Sequence, residues 1–299
     1  MRVRMTSYAD NFEDVLIQRA FELDAKGFYI DVGAYNPVEH SVTKHFYDRG
    51  WRGINVEPNP KPFEMLRSTR DRDINLNIGL SNRAGSMAIY EAPGACWSVD
   101  LDLLTGYFGA QRGEIVEKTI EIRTLAEICR DHVPTGVEID FLKVDVEGHE
   151  REVIEGGDWA RWRPRIVIAE ANGHETWDQS LLTADYHFTL FDGVNRIYVR
   201  DEDRHLIPAL SIPVNVCDQF AIHGYLNRIN EIHEAKLAQE AELAELNHLK
   251  SEYLKTLDHF SQYGAATLKL ARGVGIASKR YPNASRIARK MVHKLGERA

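Results

Sequence analysis

The sequence predicts an α/β protein built on a doubly wound, Rossmann-like sheet, parallel except for a terminal antiparallel hairpin, with an α-helical C-terminal extension. Between residues 7 and 223, short β-rich runs alternate with amphipathic stretches, which is typical of βαβ units. Two β-rich runs at the end of this region flank a strong hairpin signal. The chain then becomes a charged helix former without proline until Pro282.

The parallel strands are predicted from mostly apolar runs, as expected for strands covered on both faces. These runs are residues 27–33, 53–58, 74–81, 139–148 and 165–171. Residues 186–191 and 195–201 flank Asp192 and Gly193, and we expect them to form the antiparallel hairpin.

We expect three segments: a sheet domain over residues 1–223, an amphipathic helix over 224–262 and a basic helical tail over 263–299. The helix has one apolar stripe, formed by Leu243, Leu246, Leu249, Tyr253, Leu257 and Phe260. This stripe can form a homodimeric coiled coil or fold back on the sheet domain, and both interpretations stay open.

Composition excludes several classes of protein. A hydrophobic content of 43% supports a full core, and a net charge of −8 argues against nucleic-acid binding. No apolar run suggests a membrane span or secretory signal, so we expect a cytoplasmic protein. The three cysteines show neither zinc-ligand nor disulfide spacing.

A nucleoside site is predicted at the ends of the first two strands. Asp31 and Gly33 end the first strand, and Gly33 is followed by Ala34 rather than by the remainder of a GxGxxG dinucleotide fingerprint. Glu57 ends the second strand, where a carboxylate can bind both ribose hydroxyls. Together these acids indicate an adenosine site, although each alone also fits an ordinary solvated strand-end acid.

Gly79 and Ser81 end the third strand and offer a close backbone approach and a hydroxyl near an adenine ring. The same residues also fit a simple turn. We expect Ala34, Gly79 and Asp145 to belong to the same cofactor site.

The chain resembles the FkbM family of methyltransferases over roughly residues 7–220. The blocks that carry the resemblance are SYADNFEDVLIQRAF, GFYIDVGAYNPVEHSVTKHFYDRGWRGINVEPNP, RDINLNIGLSNRAG, RTLAEI, IDFLKVDVEGHEREVIEGGDW, LFDGVNRIYV and PVNVCDQF. The resemblance implies a class I methyltransferase fold, S-adenosylmethionine as donor, and methylation of oxygen on glycans or glycosylated and polyketide metabolites. It also implies that Asp31, Gly33, Glu57 and Ser81 bind the cofactor.

The chain departs from the family pattern at residues 94–100, which puts acceptor specificity in doubt. The segment after about Gly224 has no counterpart in the family's catalytic core.

The catalytic candidates follow the fourth strand. A sugar hydroxyl needs a base to remove its proton, and His149 can do so with Asp145 or Glu147 orienting the ring. The alternative is that Glu147 and His149 only cap the next helix.

The end of the fifth strand supplies further candidates. Asp145, Glu170 and Asn172 offer oxygen ligands for Mg²⁺, although strand-end acids also serve as hydrogen-bond acceptors for a substrate. We expect Trp177 to stack on a sugar acceptor, with Glu170 and His174 beside it. A metal-free mechanism based on His149 is the preferred hypothesis.

The basic tail alternates cations with apolar residues and contains the single acid Glu297 after residue 267. It can bind the inner membrane face or an acidic glycan-assembly partner, or pack on its own domain.

Two alternative functions stay open. One is a catalytically silent nucleoside-binding scaffold, and the other is a nicotinamide enzyme, which is less favoured because the GxGxxG fingerprint is absent.

Overall fold

The structure is a computed structural model that describes residues 5–92, 96–98, 105–106, 115–171 and 177–262. The chain divides into two compact units, residues 1–226 and 227–299. The predicted basic tail, Asn172 and His174 lie outside the described residues.

The first unit is organised around a seven-stranded sheet. Its strands are β2 (Phe28–Val32), β3 (Arg52–Val56), β4 (Ile74–Leu76), β9 (Phe141–Val144), β10 (Ile166–Glu170), β11 (Tyr186–Phe191) and β12 (Asn195–Arg200). They lie in the order β11-β12-β10-β9-β2-β3-β4. The five strands from β10 to β4 pair in parallel, whereas β12 runs antiparallel to both β10 and β11. The hairpin predicted around Asp192 and Gly193 is therefore observed.

The predicted third strand, residues 74–81, is divided between two sheets, which corrects the sequence interpretation. Only β4 joins the large sheet, and β5 (Gly79–Leu80) pairs with β8 (Val116–Arg123) in a second sheet. This second sheet also contains β6 (Gly85–Ala92) and β7 (Cys96–Ser98), in the order β5-β8-β6-β7. The sequence does not predict this sheet, because β8 is largely exposed and does not form an apolar run.

Two further short strands, β1 (Met5–Ser7) and β13 (Phe220–Ile222), pair in parallel and join the two ends of the first unit. Arg19 strengthens this connection. Its guanidinium donates hydrogen bonds to both oxygens of Asp218, each at 2.7 Å, and to the carbonyls of Ala209 and Pro213.

Helices cover both faces of the large sheet, and alternate residues of its strands pack into two separate cores, one on each face. Phe28, Ile30 and Val32 pack in one core with α4 (Leu125–His132), α5 (Glu150–Glu155) and α6 (Asp178–Thr183). Tyr29 packs in the other core with α1 (Glu13–Gln18), α2 (Lys44–Asp48) and α7 (Ile207–Leu210). Helix α3 (Pro60–Thr69) follows β3, and 3-10 helices span Asp201–Leu206 and Val216–Asp218.

The loop after β2 is held by a buried arginine. Arg70 is 1% exposed and donates hydrogen bonds to the Pro37 carbonyl and to the Ser41 hydroxyl. A buried guanidinium needs several hydrogen-bond acceptors, because burying its charge without them would cost free energy. These hydrogen bonds therefore hold in place the loop after β2, which also carries Gly33 and Tyr35.

Helix α8 (His223–Gln262) contains the predicted amphipathic segment. Leu243, Leu246 and Leu249 are each more than half exposed. Dimerisation through this stripe stays a prediction. Within the part of the chain that the structure describes, no helix combines the length and apolarity needed to cross a membrane.

Candidate active site

The candidate site lies at the carboxyl edge of the large sheet, where the parallel strands β3, β2, β9 and β10 end side by side. Glu57, Asp31, Asp145 and Glu170 stand at or directly after these four ends. The topology thus brings together four predicted site residues along one edge, and adjacent strands are about 4.8 Å apart.

Gly33 allows the ends of β2 and β9 to approach closely. Its φ is +78°, and a Cβ atom added there would lie 1.8 Å from the carbonyl oxygen of Asp145. The amides of Gly33 and Ala34 both donate hydrogen bonds to the carbonyl of Val56. A side chain at position 33 would therefore force the two strand ends apart.

Glu57 is buried and held in one orientation by backbone donors. One carboxylate oxygen accepts a hydrogen bond from the Tyr35 amide at 2.9 Å, and the other from the Asn59 amide at 2.7 Å. Burial raises the pKa of Glu57 to about 7, although these two hydrogen bonds oppose the rise. Each oxygen retains a lone pair that can accept another hydrogen bond.

Asp31 is more deeply buried, at 1% exposure. Its Oδ2 atom accepts a hydrogen bond from the Thr43 hydroxyl at 2.8 Å. Its Oδ1 atom is buried and has no hydrogen-bond partner among the described residues. The Nζ atom of Lys143 lies 3.5 Å from Oδ1.

Lys143 lies between the two strand-end acids. Its Nζ atom donates a hydrogen bond to the Gly33 carbonyl at 2.8 Å and lies 3.3 Å from Oδ2 of Asp145. Burial opposes the charge on Lys143, but Asp145 and Asp31 raise its pKa above the ordinary value. The ammonium therefore stays charged at neutral pH.

This arrangement does not fit the predicted Mg²⁺ site. The ammonium of Lys143 already neutralises the Asp145 carboxylate, and a second cation there would be repelled. Glu170 ends β10, one strand away, and Asn172 lies outside the described residues. In the described ranges, no group of three His, Cys, Asp or Glu side chains is arranged to hold a metal ion.

His149 contacts Ser81, which is also a predicted site residue. Its Nε2 atom is 3.1 Å from the Ser81 hydroxyl, and its Nδ1 atom is 3.4 Å from a carboxylate oxygen of Glu152. Burial lowers the pKa of His149, while Glu152 opposes this effect. The ring is therefore largely neutral near pH 7, and Glu152 is positioned to orient it.

The loop that presents His149 is held by Glu150. Its Oε1 atom accepts hydrogen bonds from the amides of Val146 and Gly148, at 3.0 and 3.1 Å. Glu147 adopts a left-handed conformation with φ of 56°, which non-glycine residues seldom adopt.

Trp177 is 2% exposed and packs in the core against Tyr198, with ring centroids 6.0 Å apart. Such burial leaves no free face for a sugar ring, so we reassign Trp177 to the core.

At Gly79, an added Cβ atom would meet Ile122 at 2.7 Å and Ile120 at 2.8 Å. The close approach at Gly79 is therefore to β8.

Three residues at this edge were missed by the sequence analysis: Lys143, Glu13 and Asn195. The Glu13 carboxylate accepts a hydrogen bond from the Asn195 amide group at 2.8 Å, and burial raises its pKa to about 7. Asn195 pairs with Glu170 across β12 and β10, which places Glu13 on the side of β9 away from Glu57. A lysine within the apolar run Phe141–Val144 was the available signal for Lys143.

Comparisons with known proteins define the class. Residues 31–197 match the methyltransferase FkbM domain family. Methyltransferase sdnD of Sordaria araneosa is 28% identical over 187 residues, which cover 53% of this chain and 69% of that protein. The fold and the matched residues thus indicate a methyltransferase.

The family match includes more than half of the chain, from Asp31 at the end of β2 to Ile197 in β12. The protein belongs to the methyltransferase FkbM domain family. The solved structure of methyltransferase FkbM from Methylobacillus flagellatus KT is similar over 59% of this chain, with 16% identity and a TM-score of 0.35. The matched region spans 44% of that protein, less than half of its length.

Proposed function

We propose that the protein transfers a methyl group from S-adenosylmethionine to a hydroxyl group of a sugar or glycan. We interpret its large sheet as the doubly wound sheet of a class I methyltransferase. One observation carries the proposal: Asp31 and Glu57 are buried acids at the carboxyl ends of adjacent parallel strands, with the Gly33 turn between them.

The donor and acceptor groups at this edge fit an adenosyl cofactor. The remaining lone pairs of Glu57 suit the two ribose hydroxyls, and each oxygen is already oriented by a backbone amide. The Oδ1 atom of Asp31, which has no hydrogen-bond partner among the described residues, is an acceptor that a bound ligand can satisfy. When bound, S-adenosylmethionine supplies an activated methyl group on a sulfonium.

The acceptor is proposed to lie over the ends of β9 and β10, next to the loop after β9 that carries His149. Glu170, Glu13 and Asn195 supply oxygen and amide groups there, which suit hydrogen bonds to sugar hydroxyls. The protein's main contribution is to align the hydroxyl with the methyl group and to exclude water.

For proton removal we retain His149 as the candidate base. If Nδ1, which lies 3.4 Å from a Glu152 oxygen, carries the proton, then Nε2 is an acceptor, and the Ser81 hydroxyl now uses that acceptor. A substrate hydroxyl must therefore displace Ser81. The alternative is that His149 and Ser81 bind adenine, in which case His149→Gln will weaken binding of S-adenosylhomocysteine. If His149 is the base, the same substitution will leave that affinity unchanged.

The proposal is tested by calorimetric titration of the full chain with S-adenosylhomocysteine. We expect micromolar binding, about −8 kcal/mol. Glu57→Gln should weaken it at least tenfold, about 1.4 kcal/mol, since one of the two acceptor oxygens is replaced by an amide donor. The matched control Glu64→Gln removes an exposed acid of α3 and should bind as the wild type does.

NAD is the second control ligand, and we expect no binding because the GxGxxG fingerprint is absent. Folded wild-type protein that fails to bind S-adenosylhomocysteine would refute the proposal. The catalytically silent scaffold would then be the better hypothesis.

A further inference from the structure

The ammonium of Lys143 is enclosed by oxygen atoms from two strand ends. These are the Gly33 carbonyl at 2.8 Å, Oδ2 of Asp145 at 3.3 Å and Oδ1 of Asp31 at 3.5 Å. One carbonyl and two carboxylates form the kind of ligand set that hard divalent cations prefer. Here a protein side chain occupies the centre of that set.

The charges explain why a cation is required at this position. Asp31 is almost fully buried, and its Oδ1 atom has no hydrogen bond among the described residues. A buried carboxylate without a compensating charge is costly. Glu13 adds a further acid whose field reaches Lys143. The cluster therefore has more acids than bases, and Lys143 supplies its positive charge.

We propose that Lys143 is a positioning residue whose ammonium acts as a tethered cation among three oxygen atoms that could otherwise surround a divalent ion. It holds Asp31, Asp145 and the Gly33 carbonyl in the geometry that binds the cofactor. Removing the ammonium while keeping the three oxygens converts this position into a divalent-cation site.

The conversion is sterically reasonable. Divalent cations bind oxygen at roughly 2.0–2.6 Å, so the three oxygens must move inward by about 1 Å. The Asp145 side chain is 40% exposed and lies after the end of β9, where it can move. Methionine at position 143 keeps the aliphatic stem in the core and leaves the volume of Nζ empty.

The experiment compares the wild type with Lys143→Met and with the control Lys118→Met, which removes an exposed lysine of β8. Mn²⁺ is the probe, and its binding is followed by electron paramagnetic resonance. We expect binding weaker than about 1 mM in the wild type and Lys118→Met, and at least about tenfold tighter in Lys143→Met, because the oxygen set becomes available.

The second readout is S-adenosylhomocysteine affinity, and this part rests on the proposed function. Without metal, Lys143→Met should bind S-adenosylhomocysteine at least about tenfold more weakly than the wild type does, as is typical when a supporting residue is lost. Saturating Mn²⁺ should restore affinity to within about threefold of the wild type. A residue with only a packing role would not be rescued by an ion.

The inference is wrong if the wild type already binds Mn²⁺ tightly at a site that Asp145→Asn removes. It is also wrong if folded Lys143→Met gains no Mn²⁺ binding, or if Lys143→Met loses cofactor affinity and Mn²⁺ does not restore it. If Lys143→Met does not fold, Lys143→Gln is used. Failure of both to fold, even with Mn²⁺, would also overturn it, since the ion could not replace the ammonium. Absence of cofactor binding in the wild type would refute the proposed function alone, because Mn²⁺ binding is measured separately.

Discussion

The role of Gly33 leads to a quantitative prediction, because the chain contains a matched control. Gly33 and Gly136 have the same φ of +78°, but only Gly33 has a close neighbour. At Gly33, an added Cβ atom would lie 1.8 Å from the Asp145 carbonyl oxygen, whereas at Gly136 nothing lies within 4 Å. Alanine at either position therefore has the same backbone strain, and only at position 33 does it also clash.

The backbone strain of a left-handed alanine is about 1 kcal/mol. The clash adds about 3 kcal/mol, since the Asp145 carbonyl must move by more than 1 Å in a closely packed region. We expect Gly136→Ala to lower the free energy of unfolding by about 1 kcal/mol and Gly33→Ala by about 4 kcal/mol. At about 2–4 °C per kcal/mol for a unit of this size, the Tm should fall by roughly 2–4 °C and 8–16 °C.

The assay is thermal unfolding followed by circular dichroism, with S-adenosylhomocysteine calorimetry on each folded variant. Gly33→Ala should lose cofactor binding, because separation of β2 and β9 displaces Asp31 from Lys143. Gly136→Ala should bind normally. If both variants melt within about 2 °C of each other, or if Gly33→Ala binds normally, the account of the close approach is wrong.

Further predictions concern pH, the core and the termini. Since burial raises the pKa of Glu57 to about 7, from 4.5 when exposed, the folded protein binds a proton near pH 7 that the unfolded chain does not. Its contribution to stability should fall by about 1 kcal/mol from pH 6 to 8; urea unfolding should show a smaller fall in Glu57→Gln but not in Glu64→Gln. Trp177→Ala should lower stability by about 3–5 kcal/mol, as core truncation does, whereas Trp177→Phe should remain folded and bind S-adenosylhomocysteine normally; weakened binding in a stable Trp177→Phe would contradict the core assignment. Arg19→Lys should cost about 1–2 kcal/mol in urea unfolding, because lysine cannot replace the bidentate pair with Asp218; unchanged stability would show that this pair is dispensable.

Much of the sheet could be predicted because buried parallel strands form apolar runs whose carboxyl ends meet at one edge. The rule that parallel strand ends meet assigns Asp31, Glu57 and Asp145 to one edge from the sequence alone. It failed for residues 74–81, since a single β-rich run does not reveal that its two halves pair with different sheets.

The missed residues have physical reasons. Glu13 opens a helix, where acids are normally solvated and favourable, so nothing in the sequence indicated its burial. Trp177 follows a predicted loop near the ligand edge, and sequence alone does not distinguish an exposed aromatic platform from a core residue. His149 stays a predicted site residue, and its contact with Ser81 depends on tertiary structure that the sequence does not reveal.

The second sheet has a consequence for how this enzyme family can diversify. The chain enters it through Gly79 and leaves it through Arg123, and these two points lie on directly paired strands. Meanwhile β2 pairs directly with β9 and does not depend on the intervening segment. We therefore expect β6 and β8 to tolerate changes of length at the ends farthest from β5, near Glu91 and Val116, while β2 and β9 stay in register.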